Sequence, residues 1–148
     1  MNKFSEEILI DSLHDFSKPY IAVTNDIQVT VWPEFIDSKS SLIGDLFVWS
    51  YQVRIDNNSD KKIKLIGRFW RIIDEKGVAQ EVKGDGVVGE QPTIASGKFY
   101  QYSSGVHLRY PSGIMMGKYQ MQQEDGKVFD VTIPTFSLDI PNQKPVLN

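Results

Sequence analysis

The run Phe47-Val48-Trp49-Ser50-Tyr51-Gln52-Val53-Arg54-Ile55-Asp56 constrains the fold of this chain more than any other. Every odd position is apolar, while Ser50, Gln52, Arg54 and Asp56 fall between them. A period of two places one set on each face of a strand. The segment is therefore a β-strand with one face in a core and the other in water. The same alternation marks Ile27–Trp32, where Pro33 ends the strand or makes a bulge. A further long strand is expected over Ile63–Ile73.

Turn signals separate these segments at short intervals. Asn57-Asn58-Ser59-Asp60 is one cluster, and Asp74-Glu75-Lys76-Gly77 reads as a hairpin loop before a strand over Val78–Val82. Ile94-Ala95-Ser96-Gly97 turns into a strand over Lys98–Tyr102, and Ser103-Ser104-Gly105 reads as the turn that ends it. Pro111-Ser112-Gly113 is another turn. Asp125-Gly126 is a strong hairpin signal between strands at Gly117–Gln123 and Val128–Ile133. Pro134 bends the last strand, which resumes at Phe136. Seven or eight strands with no helical crossover describe an all-β sandwich of the immunoglobulin or fibronectin type III kind. A closed barrel is the alternative that the pattern separates poorly from it.

Residues 20–148 make up this domain, and residues 1–19 differ in style. Ser5 followed by Glu6 and Glu7 suits a helix start, and Ile8, Leu9, Leu13 and Phe16 would line one face. A frayed arm is an equally open reading. A chain of 148 residues suits one domain. Its net charge of −3 offers no overall electrostatic footprint for nucleic acid. The absence of cysteine excludes disulfides and thiolate chemistry and fits a reducing compartment. No apolar run approaches the ~20 residues of a membrane span. The expected location is the cytoplasm, with no nucleic acid or membrane as partner.

Gly84-Asp85-Gly86-Val87-Val88-Gly89 has the spacing G-x-G-x-x-G of a dinucleotide-binding turn. That chemistry requires the motif to follow a strand and open a helix, whose amino terminus receives the pyrophosphate. Here Glu90-Gln91-Pro92 follows, and Pro92 disfavours helical backbone at Gln91. The dinucleotide reading therefore fails. A glycine-rich connection between strands remains, as does an anion site made from successive backbone N–H groups. Gly84, Gly86 and Gly89 would then supply the amides, and Lys83 and Arg68 the counter-charge. Asp85 and Glu90 oppose an anion unless a divalent ion mediates.

Taken in order, several runs resemble the bacterial ApaG family. They are Tyr51–Asn57, Leu65–Asp74, Glu81–Pro92, Tyr102–Gly105, Pro111–Gly113, Met116–Met121, Phe129–Phe136 and the terminal Leu147-Asn148. The resemblance covers about residues 20–148. It implies a fibronectin-like sandwich and places the glycine motif on a connection between strands, a candidate pyrophosphate site with no established enzymatic activity. Related domains stand at the carboxyl end of F-box proteins and in a protein that interacts with DNA polymerase delta, settings of protein–protein interaction. Bacterial members are associated with cobalt and magnesium tolerance. Residues 1–19 depart from the pattern, and Phe69 stands where it places His.

Catalytic residues, metal ligands and cofactors are not expected. His14 and His107 are far apart, and no nucleophile elbow supports a pairing of Ser103 or Ser104 with His107. Trp32, Trp49 and Trp70 read as core aromatics. The leading expectation is a non-enzymatic module that binds a protein partner, or a second copy of itself, through open strand edges. Phosphate or pyrophosphate binding by the glycine loop is the alternative, and hydrolysis of phosphorylated metabolites ranks last.

Overall fold

The computed structural model describes residues 18–41 and 43–141. The expected arm or helix over residues 1–19 lies almost wholly outside them, as does the chain end. Nine strands run in chain order: β1 Tyr20–Thr24, β2 Ile27–Phe35, β3 Phe47–Asn57, β4 Ile63–Asp74, β5 Ala79–Asp85, β6 Thr93–Ile94, β7 Phe99–Leu108, β8 Gly113–Gln123 and β9 Val128–Leu138. They form two antiparallel sheets, ordered β1-β2-β3-β7 and β5-β4-β8-β9, with β6 paired to the start of β4. This is the β-sandwich that the alternation predicts.

The odd residues of β3, from Phe47 to Ile55, are all buried. They meet Leu65, Trp70, Tyr119, Val131 and Phe136 of the facing sheet in one core. Tyr51 and Trp70 pack edge to face at 5.4 Å between ring centroids, and Trp70 meets Phe136 at 6.0 Å. Trp32 departs from its expected core place. It is half-buried, on the opposite face of β2 from Val29 and Val31.

Local chemistry explains the other differences. Asn25 and Asp26 both take positive φ, as a two-residue type I′ hairpin requires, and so join β1 to β2. Pro33 stays within β2 and neither ends nor bulges it. There β2 has already run past β1, whose last partner is Val31, so Pro33 sits on an edge segment. Ser103-Ser104-Gly105 is not a turn. It lies inside β7, opposite Gln52, Tyr51 and Ser50 of β3. Pairing with a central strand overrides the turn tendency of those residues. The bend at Pro134 is a bulge, since the β8–β9 register slips between Met115 and Gly117.

The two sides of the sandwich differ. On one side β9 packs onto β1 and β2. Polar side chains stitch that seam, with Thr24 Oγ1 accepting from the Thr132 amide at 3.1 Å and Tyr20 hydroxyl bonded to Ser137 Oγ at 2.9 Å. On the other side, β5 and β7 make no comparable contact. The sheets stand apart there, and a cleft of about 230 Å³ opens between them.

Candidate binding site: the glycine loop and the open edge

The loop after β5 is built from the glycines upward. Val87 and Glu90 exchange reciprocal backbone hydrogen bonds of 2.8 and 2.9 Å around Val88 and Gly89, both at positive φ. The last glycine of the motif thus occupies the second central position of a type I′ turn. Gly86 has φ +60, and a Cβ there would lie 2.0 Å from the Glu90 carbonyl oxygen. At Gly84 a Cβ would meet Arg68 Nη1 at 2.6 Å, because the guanidinium lies across that glycine.

Strand register decides which of the candidate residues meet. Arg68 pairs with Gly84, and Phe69 pairs with Lys83. Successive residues of a strand face opposite ways. Arg68 and Gly84 therefore share the inner face with Trp70, while Lys83 lies outside over Phe69. Arg68 Nη1 donates to the carbonyls of Asp85 (3.1 Å) and Gly86 (3.0 Å). Outside, Lys83 and Lys118 flank the Phe69 ring at 5.5 and 5.9 Å, and Lys118 pairs with Asp130 at 3.2 Å. Arg68, Lys83 and Gly84 do border one shallow concavity of about 460 Å³, which Gly86 and Gly89 do not line.

The loop amides are largely committed. Gly86 N donates to Ile66 O, Val87 N to Glu90 O, and Glu90 N to Val87 O. The register slip in β4 between Leu65 and Gly67 helps to explain the first of these. Ile66 O lies at the bulge and accepts from both Gly86 N and Gln91 Nε2. Val87 is fully buried and plugs the loop into the core. Sequence reasoning missed Val87, for which an apolar residue between glycines was the only signal. Glu90 receives the Tyr100 hydroxyl at 3.0 Å, which ties the loop to β7. Among the described residues, no three acidic or histidine side chains cluster as a metal site. Ser104 and His107 fall on opposite faces of β7, with His107 exposed and Ser104 half-buried.

Three phenols, those of Tyr51, Tyr102 and Tyr119, lie close together in the core near Arg68, and Tyr51 lines the cleft. Tyr102 and Tyr119 share a buried hydrogen bond between their hydroxyls. Burial raises the pKa of both, and also that of Tyr51, where the Ser104 hydrogen bond and the Arg68 charge act in the opposite direction. The phenols are therefore neutral beside Arg68 at ordinary pH. Residues of β4, β5 and β7 line the cleft: Trp70, Ile72, Val82 and Val106 make an apolar wall, and Arg68 and Ser104 a polar end.

Comparison with known proteins agrees with this architecture. The sequence model of the ApaG domain family (DUF525) matches residues 37–123. Protein ApaG of Paramagnetospirillum magneticum is 52% identical over 129 residues, spanning 87% of this chain and 99% of that protein. Protein ApaG of Agrobacterium fabrum aligns with the same identity and coverage. A solved structure of a Bordetella pertussis protein, 38% identical, superposes with a TM-score of 0.77 over 85% of this chain and 98% of that one. The names of these relatives state no reaction. No helix among the described residues is long and apolar enough to cross a membrane. The family match, the shared length and the common sandwich together place this chain in the ApaG family.

Proposed function

We propose that this protein is a non-enzymatic binding module that recruits a protein partner by adding a strand to β7. The observation that carries this reading is the contrast among the four sheet edges. Exposed edges invite pairing unless charge, proline, shortness or cover blunts them. Strand β5 carries Glu81, Lys83 and Asp85, β9 carries Asp130 and Pro134, and β1 has only five residues. Thr24 and Tyr20 further tie β1 to β9. Strand β7 is ten residues long, FYQYSSGVHL, with no Lys, Arg, Asp, Glu or Pro. It ends its sheet beside the open cleft.

Placing lysines at Gln101 and Ser103, both exposed, blunts this edge without touching the core. The double variant Gln101→Lys/Ser103→Lys is expected to lose the partners that wild type recovers in quantitative pull-downs, whereas a charge added on β9 keeps them. Equal recovery by the β7 variant refutes the reading. A second copy of the chain is one partner such an edge admits, and sedimentation of both proteins across a concentration series identifies that case.

Anion binding by Gly84, Gly86 and Gly89 has less support. Three loop amides are spent inside the protein, and Arg68 turns its charge to the loop carbonyls. Titration of pyrophosphate, with and without magnesium, is expected to leave the Gly84–Gly89 amide resonances in place. Saturable shifts there would restore the anion reading.

A further inference from the structure

We infer that the cleft between β5 and β7 accepts a carboxylate side chain from the added strand, so that β7 selects extended acidic segments. This rests on strand addition at β7 and names the chemistry of the partner. The ion pairs among the described residues join Arg54 to Asp56, Lys62 to Glu124 and Lys118 to Asp130. Arg68 is in none of them, although it is half-buried and faces the interior. Its bonds to Asp85 O and Gly86 O fix Nη1, and carbonyl dipoles do not neutralise the charge. In the cleft it shares the lining with the Tyr51 phenol, kept neutral by burial, and the Ser104 hydroxyl, and no carboxylate lines that cleft. A guanidinium is weakly hydrated and presents five donors in a fixed fork, which suits a carboxylate.

The geometry of an added strand makes the requirement specific. Strand residues facing one way recur every second position. On β7 those facing the cleft include Ser104 and Val106. A strand laid beside β7 sends alternate side chains into the same cleft. One level with Ser104 comes close to Tyr51, which feels both the Ser104 hydroxyl and the Arg68 charge, while Trp70, Ile72, Val82 and Val106 supply the apolar lining of the same cleft. The recognised segment therefore carries an acidic residue on the face turned to the cleft, with aliphatic residues at alternate positions of that same face.

Two pools of capped hexapeptides, alternating Thr and aliphatic residues, test this. One pool carries a single Glu at varied positions and the other carries Gln there. Binding is followed by amide shifts of labelled full-length protein. The Glu pool is expected to shift residues of β7 and to bind at least tenfold more tightly than the Gln pool. Arg68→Met, and separately Ser104→Asp, which supplies a carboxylate from within, should each bring that preference close to one. The second variant keeps the test decisive if the first loosens the loop. Equal binding of the two pools by wild type, or a preference that survives both substitutions, overturns the carboxylate inference. It leaves strand addition standing if β7 still shifts. No shift on β7 with either pool removes both.

Discussion

Replacing Gly84 with alanine tests why a glycine opens the motif. Gly84 lies in β5 at ordinary negative φ, so its backbone accepts alanine without strain. The obstacle is Arg68, whose Nη1, Cζ and Nη2 would lie 2.6, 2.9 and 2.9 Å from the new methyl group. The guanidinium is the end of a flexible side chain and moves away, but it then gives up its bonds to Asp85 O and Gly86 O. Hydrogen bonds to charged groups are worth about 1.5–3 kcal/mol each when buried. Here water replaces part of that, leaving a loss of about 2–3 kcal/mol for the two. Alanine returns about 0.5–1 kcal/mol through the lower entropy of the unfolded chain. Gly84→Ala should thus destabilise wild type by about 1–2 kcal/mol, read from the urea midpoint at constant slope. In an Arg68→Met background the obstacle and the bonds are already gone. The same substitution should be neutral there, or stabilise by about 0.5–1 kcal/mol. A coupling of about 2 kcal/mol in the double-mutant cycle is the signature. An equal cost in both backgrounds refutes the argument and assigns the glycine to backbone conformation alone.

Val88 is a β-branched residue at φ +47, a conformation that costs of order 1–3 kcal/mol. Val88→Asn creates the Asn-Gly pair that type I′ turns favour and should raise stability by about 1 kcal/mol, or about 2–4 °C in Tm; an unchanged Tm contradicts the strain. Tyr102→Phe or Tyr119→Phe alone strands a buried hydroxyl and should cost about 1–3 kcal/mol, whereas the double substitution should cost less than the two single costs added. Additive costs in urea melts would remove the pair as a unit. Because burial raises both phenol pKa values, the folded state keeps protons that the unfolded state sheds above its pKa of about 10. Stability is then intact below pH ~10 and falls as pH rises towards the folded pKa, with a smaller fall in the double Phe protein. Buried Asn57 donates to Lys61 O and Ile94 O at 2.7 and 2.9 Å and accepts from Ser59 N and Oγ, so Asn57→Leu should cost more than about 3 kcal/mol in the same melts.

The sequence made some of this legible and hid the rest for identifiable reasons. Strand β3 is readable because each residue has one environment, core or water, and the alternation records it. Strand β7 is only half readable. Ser103, Ser104 and Gly105 carry turn chemistry, and what holds them in a strand is the partner β3, which no local pattern displays. In β4 the inward set changes phase, from Ile63 and Leu65 to Trp70 and Ile72. Gly67 was the available sign of the slip, since an isolated glycine in a strand often marks a bulge. Missing it conceals that Arg68 faces inward and Lys83 outward, and so makes one cationic pair of two residues on opposite faces.

The likeness of this loop to a nucleotide fingerprint then has a physical origin. Both structures need glycine where the backbone takes positive φ or where a charged group must approach it closely. In the nucleotide turn the group is a phosphate, and it approaches amide N–H groups at a helix amino terminus. Here the group is the guanidinium of Arg68, and it approaches carbonyl oxygens at the end of a strand. The sign of the interaction is inverted while the spacing is kept. The internal cation braces the loop through Nη1, stands outside the ion pairs of the described residues, and borders the open cleft. The same glycines that remove the ground for phosphate binding hold Arg68 beside β7, the edge that charge, proline and cover leave unprotected.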